Sequence, residues 1–360
     1  MLFPPLPRNI EASFRDLASE RPATRVSALA DVVRHSRADE AVRERAVAEV
    51  PKLLEDERPE VRSAAATALA DLGAKDALPK LLVAVEDGDA LVRQMVLSAL
   101  GEIGDARAAP RLSRALTDPR PEVRYQAVIA YSRVAKDEGD VLAALSRALG
   151  DEDPAVAHIA LRVAEERVDR DGVSTSARWR SFAKAAEAHL GDEHPDVALA
   201  AAILLAKRGH DAAKARVLAV VRGEGPAVNK EDEAAAVELA GELGLREAIP
   251  HLERRFRGLA RFLRDTCSLS ARIALARLGD DRASRSILDD LSSRSDATRG
   301  AAIVAAGRAR LTSARGPLAA MTGLDAELAK DALALIDREP ARAGEEEEER
   351  ADEAGEEDAS

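Results

Sequence analysis

Aromatic residues are nearly missing from this 360-residue chain. One tryptophan, two tyrosines and five phenylalanines make up 2% of it, although 46% of its residues are hydrophobic. An interior filled by large rings is thereby excluded. The apolar mass falls to Ala, Leu and Val, compact side chains that form helices well or fairly and let helices approach closely. Cysteine is missing but for Cys267, which excludes an internal disulfide framework and thiolate-rich zinc sites. A small buried side chain is the expectation for that residue. No uncharged apolar run approaches the ~20 residues of a membrane span. The opening Met1-Leu2-Phe3-Pro4-Pro5 has no basic stretch followed by an apolar one, so no signal peptide is read there and a soluble, cytoplasmic protein is expected. Also lacking are a Gly-rich phosphate loop, a His-Glu-x-x-His motif and a Gly-x-Ser-x-Gly motif, the usual marks of phosphoryl, metal and serine chemistry. The expectation is a protein that is not an enzyme, with no cofactor and no metal.

Charge is plentiful, at 33% of residues, with a net value of −12. Ten acidic residues and only two arginines fall in 340–360, which leaves about −4 for everything before it. That tail has no apolar periodicity and a run of five glutamates, Glu345 to Glu349, so it is expected to be disordered. The nearly balanced body disfavours a groove that tracks nucleic-acid phosphates. Arginine far outnumbers lysine, which fits a bacterial source with a GC-rich genome.

What the chain does have is repetition. Pro59-Glu60-Val61-Arg62, Ala90-Leu91-Val92-Arg93 and Pro121-Glu122-Val123-Arg124 align without gaps at a period of 31. Asp56, Asp87 and Asp118 keep the same period, as do Gly73 with Gly104 and Pro79 with Pro110. Looser copies begin at Pro154 and Pro195. Each unit reads as two helices. In the second, Asp76 to Glu86 forms the first helix with Pro79 in its first turn, where a missing N–H costs little. The next helix carries Val92, Met95, Val96, Ala99, Leu100 and Ile103 at steps of three and four, one apolar stripe. Gly104 supplies the stop. A hairpin with one stripe cannot bury it alone, and stacking on neighbours does.

The pattern resembles HEAT repeats, particularly the short bacterial type also found in phycobilisome lyase-like proteins, most closely over 56–151. The resemblance implies a right-handed, all-α solenoid of about ten hairpins. It also implies a structural ladder of aspartates and arginines between repeats, here Asp56/Arg62, Asp87/Arg93 and Asp118/Arg124, with Arg25 and Arg299 at the same position in outer units. Asp151 and Asp192 face Ala157 and Ala198, so the ladder is expected to be interrupted there. The second helices are expected to begin near Pro22, Pro59, Ala90, Pro121, Pro154, Pro195, Lys230, Arg264, Asp296 and Asp325. The domain reading is 1–170 for N-terminal repeats, 171–339 for more divergent C-terminal repeats and 340–360 for the tail. The polar insertion Asp169 to Thr175 and the Gly/Pro-containing loop Gly223 to Lys230 are its irregularities.

The resemblance places the second helices on the concave face, with positions one and five residues past the ladder arginine pointing away from the stripe. Those rows read Ser63, Gln94, Tyr125, His158, Leu199 and Thr67, Ser98, Ile129, Arg162, Ile203. Tyr125 and Ile129, four apart on one helix, are read as an exposed anchor for a partner protein or peptide, with Gln94, His158 and Arg162 as its polar surround. A second candidate is the basic stretch Arg254, Arg255, Arg257, Arg261 and Arg264, interleaved with Phe256 and Phe262, which suits an acidic partner or the chain's own tail. His189 and His194, five apart, are read as a solvated helix end before a shared metal site. The paired His-Glu dipeptides that hold iron in the HEAT-like deoxyhypusine hydroxylase do not occur. The leading reading is a non-catalytic scaffold that docks a partner protein on its concave face. The alternatives are a lyase-like protein with a small-molecule pocket near His158 or Trp179, and nucleic-acid binding. The oligomeric state is left open.

Overall fold

A computed structural model of the chain describes residues 9–171, 177–257 and 267–338. The tail 340–360 lies outside the described residues, as does most of the Asp169 to Thr175 insertion. Every regular element among the described residues is helical, and none of them forms a strand.

Among the described residues, twenty α-helices pair into ten hairpins. In the N-terminal part the pairs are α1 (Ile10–Asp16) with α2 (Pro22–Ser36), α3 (Glu40–Glu49) with α4 (Pro59–Asp71), and α5 (Leu78–Ala84) with α6 (Ala90–Ile103). There follow α7 (Ala109–Ala115) with α8 (Pro121–Val134), α9 (Glu138–Leu149) with α10 (Pro154–Asp171), and α11 (Ala177–Glu187) with α12 (Pro195–Ala206). The remainder are α13 (Asp211–Arg222) with α14 (Lys230–Glu242), α15 (Ile249–Arg257) with α16 (Cys267–Arg277), α17 (Asp281–Asp290) with α18 (Asp296–Arg308), and α19 (Arg315–Ala319) with α20 (Leu324–Asp337). Nine of the ten second helices start within one residue of the expected position. The start expected at Arg264 lies outside the described residues.

Local chemistry explains these boundaries. Proline opens α2, α4, α8 and α12 in the first turn, where its fixed φ is already helical and no N–H is needed. Where α6 lacks proline, the Asp89 carboxylate accepts from the backbone N–H groups of Leu91 and Val92, as an N-cap should. Gly104 ends that helix in the left-handed conformation, at φ +71°, which a side chain would strain. The expected first helix of that hairpin is shorter than Asp76 to Glu86. A 3-10 turn over Lys75–Ala77 leads into it.

The described residues divide into two compact units, one up to 216 and one from 217 onward. The sequence boundary near 170 falls inside the first. Within each unit the second helices pack side by side, α2, α4, α6, α8, α10 and α12 in the first and α14, α16, α18 and α20 in the second. Val92, Val96, Ala99 and Leu100 are fully buried, so the stripe read from sequence is the core, with Met95 half-buried at its edge. In the second unit Val237, Ala240, Leu252 and Ala274 form one cluster, and Ile287, Ile303 and Ala306 another. Cys267 is buried as expected. The α12 sequence is apolar on every side, and each residue from Val197 to Ala206 is buried, the pattern of a helix covered all round.

Candidate functional site

In α2, α4, α6, α8 and α18 the repeat places one arginine of the second helix over the turn that begins the next. Arg62 donates from Nε and Nη2 to both carboxylate oxygens of Asp87, at 2.7 and 2.8 Å, and from Nη1 to the backbone carbonyl of Asp56 at 2.9 Å. Arg93 does the same with Asp118, at 2.9 and 3.0 Å, and with the carbonyl of Asp87 at 2.8 Å. Arg124 repeats it with Asp151, at 2.8 and 2.7 Å, and the carbonyl of Asp118 at 2.8 Å. Arg25 reaches Asp56 at 2.7 Å, and in the second unit Arg299 reaches Asp325 at 2.5 Å. The fork of a guanidinium matches a carboxylate edge to edge, so each rung fixes the angle between consecutive hairpins.

Each receiving aspartate of the first four rungs is itself held in place. Oδ1 of Asp56, Asp87, Asp118 and Asp151 accepts from the backbone N–H two residues further on, at 2.9 to 3.0 Å. Burial works against the charged form of Asp87. The Arg62 and Asp89 hydrogen bonds and the positive charges of Arg62 and Arg93 overcome it and hold the carboxyl below its ordinary range. Asp151 is shifted the same way, with burial opposing and Arg124 and the Asp153 N–H prevailing.

These contacts correct the pairing expected from sequence. An arginine does not pair with the aspartate side chain six residues before it. It takes that residue's carbonyl, and the carboxylate belongs to the next repeat. Asp151 is therefore a full member of the ladder, and the interruption falls one step later. Residues 50–132 match the sequence model for HEAT repeats. This stretch is a run of HEAT repeats. Solved structures to which the chain is similar include YibA of Escherichia coli, at 19% identity over 75% of this chain and 92% of that one, with a TM-score of 0.48. The complex of CpcE and CpcF of phycocyanin lyase from Nostoc shares 19% identity over 68% and 93% of the two chains, with a TM-score of 0.42. Human deoxyhypusine hydroxylase shares 18% over 75% and 95%, with a TM-score of 0.31. No curated protein matches the chain in sequence.

The ladder lapses at Ala157, which stands on α10 where the four preceding repeats have arginine. The aspartate due to receive that arginine is Asp192. Its Oδ1 accepts from the His194 N–H at 2.9 Å, the same turn as in the other repeats. The two histidines flank it instead of a guanidinium, with His189 Nδ1 at 3.0 Å from Oδ2 and His194 Nδ1 at 3.2 Å from Oδ1. Burial opposes the charge on Asp192, and hydrogen bonds from the His194 N–H and both rings keep its carboxyl below the usual value. The pair thus shares a carboxylate. No group of three or more His, Cys, Asp or Glu among the described residues is placed to hold a metal ion. A cavity of about 250 Å³ opens at this joint, lined by Asp151, Ala157, His189, Asp192, Glu193 and His194 among others. Sequence reading identified both the lapse and the histidine pair but did not connect them.

The second-helix rows are only partly as expected. Gln94, Tyr125, Ile129, His158 and Arg162 are half-buried, not exposed, because neighbouring second helices pack flank to flank. Ser63, Leu199 and Ile203, in the same rows, are buried. Arg162 is hydrogen-bonded to Glu165, which also holds Lys207 at 2.8 Å. Thr67 on α4 is exposed, and the remaining accessible positions of the two rows lie on α6, α8 and α10. Trp179 is core, with its ring 5.4 Å from Phe182 and the Arg208 guanidinium 4.7 Å from its centroid.

The basic stretch is less open than expected. Arg254 is exposed, but Arg255 donates to Glu233 at 2.7 Å, with both side chains largely covered. Phe256 packs against the core of its unit. The side chains of Arg257, Arg261 and Arg264 lie outside the described residues.

Proposed function

We propose that the chain is a non-catalytic scaffold that docks a partner protein or peptide along the second helices of its first unit. The observation behind this reading is the row itself. On consecutive helices α6, α8 and α10, Gln94 with Ser98, Tyr125 with Ile129, and His158 with Arg162 occupy the same two positions, all half-buried. An aromatic and a branched aliphatic side chain four residues apart make one apolar knob on a helix. Half-burial holds such a knob in place, so little side-chain entropy is lost on binding. Polar residues on both sides fit the anchor-and-rim arrangement of protein interfaces. A phosphate-tracking role is disfavoured by pairing. Arg45, Arg107 and Arg111 are tied to Glu11, Asp105 and Glu86 within the chain.

A photoreactive residue at Gln94 or Ser98 is expected to cross-link the partner from host extract, whereas one at Val83, 75% exposed on a first helix, is not. Tyr125→Ala combined with Ile129→Ala is expected to weaken the purified pair by about tenfold or more. Unchanged affinity, or cross-links mainly at Val83, would overturn this reading. A small-molecule role has one observation in its favour, a cavity of about 600 Å³ between α9 and α11 lined by Asp137, Asp140, Leu142, Ser146, Arg178 and Ser181. That is within the size range of ligand pockets.

A further inference from the structure

Four successive joints of the first unit end on the same cradle for a guanidinium. It consists of a backbone carbonyl at the start of one turn and a carboxylate at the start of the next, the latter aligned by the backbone N–H two residues further on. Arg25, Arg62, Arg93 and Arg124 fill it from within. The Arg25 version takes the Ser19 carbonyl, at 2.7 Å. At the fifth joint the carbonyl position belongs to Asp151 and the carboxylate is that of Asp192, in the same backbone turn. Ala157 supplies the Cβ but none of the side chain beyond it, and the 250 Å³ cavity lies there. Glu152 and Glu193 add acidic charge to the lining, and Arg124, which Asp151 already binds, lies 3.6 Å from Glu152. Both histidine rings touch the Asp192 oxygens, and His194 is the freer of the two, its side chain 48% exposed against 23% for His189.

We infer that this joint is a receptor for an arginine side chain of another protein, whose guanidinium enters the cavity beside Ala157 and takes the place on Asp192 that an internal arginine takes in the preceding repeats. The planar, five-donor fork fits the carbonyl and carboxylate together. An ammonium is a compact point charge and cannot span both. The His194 ring gives way, because a carboxylate oxygen offers two lone pairs and Oδ1 already carries the backbone N–H and that ring. The site lies at the hairpin turns and does not rest on the row formed by α6, α8 and α10, so either can fail alone.

The test is a titration of the whole chain with Nα-acetyl-arginine N-methylamide, followed through the ring nitrogens of His189 and His194 by NMR at constant ionic strength. A saturable shift of the His194 ring is expected, and the blocked lysine analogue is expected to bind about tenfold more weakly, lacking the bidentate contact. Ala157→Arg provides the guanidinium from within. It is expected to abolish the response and raise the melting temperature. Ala157→Met fills the cavity without donors and is expected to abolish the response with no comparable gain. Asp192→Asn provides a further check should either substitution at 157 fail to fold, and is expected to weaken binding about tenfold by removing the charge. Equal shifts with blocked lysine or with sodium chloride, or a full response in Ala157→Arg, would overturn the inference. So would tight binding of free L-arginine without binding of the blocked form, which would assign the joint to a small metabolite.

Discussion

Gly241→Ala is expected to destabilise the second unit by about 3 kcal/mol, although alanine is the better helix former by ~1 kcal/mol. Gly241 lies in α14 directly against α16. A methyl group there would sit 2.5 Å from the Cα of Ala274 and 2.8 Å from both its Cβ and its carbonyl oxygen. Carbon atoms in contact prefer ~3.5–4.0 Å, and the obstructing atoms are backbone, which cannot rotate aside. The two helices would have to part by about an ångström, pulling Val237 and Ala240 off Ala271 and Leu275 in a core with few large side chains to fill the gap. Gly307 against Ala332 is similar, with 2.7 Å to the Cα, and Gly101 against Ala130 is milder at 2.9 Å. The expected order of loss is therefore 241, then 307, then 101. Gly88→Ala is the control, since nothing lies within 4 Å of a methyl group at that turn, and it should stay within about 0.5 kcal/mol of wild type. Urea unfolding followed by circular dichroism measures all four. A Gly241 variant as stable as wild type would show that the second helices have room to separate.

That close approach separates what the sequence made legible from what it did not. The hairpins were legible because their signals are local. Proline at the first turn, an aspartate cap, a stripe at steps of three and four and a left-handed glycine each act within a few residues. Nine of the ten expected second-helix starts agree with them within one residue. The ladder partners were not legible, because a period of 31 fixes which residues are equivalent and says nothing of which repeat an arginine points towards. Six residues back and one repeat forward are both within reach, and the guanidinium uses both, taking a carbonyl from one and a carboxylate from the other. The exposure of Tyr125 and Ile129 was overestimated for the reason that Gly241 matters. Small residues such as Gly101 and Ala130 bring neighbouring second helices so close that the flanks of each helix are shaded by the next. His189 and His194 stand out as a pair in the sequence, but their shared partner Asp192 follows only from the fold, where Ala157 leaves that carboxylate without an arginine.

Arg124→Met is expected to cost about 3 kcal/mol, near the lower end for breaking a buried pair. The side chains of Arg124 and Asp151 are 9% and 12% exposed, so removing the guanidinium leaves a carboxylate with little access to water and a carbonyl of Asp118 without its donor. The thioether chain keeps most of the volume, so the loss reports the interaction and not a cavity. Arg111→Met, which breaks the far more exposed pair with Glu86, should change stability by less than about 0.5 kcal/mol. The dependence on pH identifies the cause. In the wild type the Asp151 carboxyl is held below its ordinary value of 3.8. Its contribution is therefore complete above that value and is lost as pH falls through the lower, folded value. Without Arg124, burial pushes the same carboxyl the other way. The deficit of Arg124→Met should accordingly be largest near neutrality and shrink in acid, once Asp151 is protonated with or without its partner. Asp151→Asn added to Arg124→Met should recover part of the loss, because it removes the stranded charge. A deficit that stays constant from neutral to acid pH would show that Arg124 stabilises the joint through packing of its stem and not through the rung it forms with the next repeat.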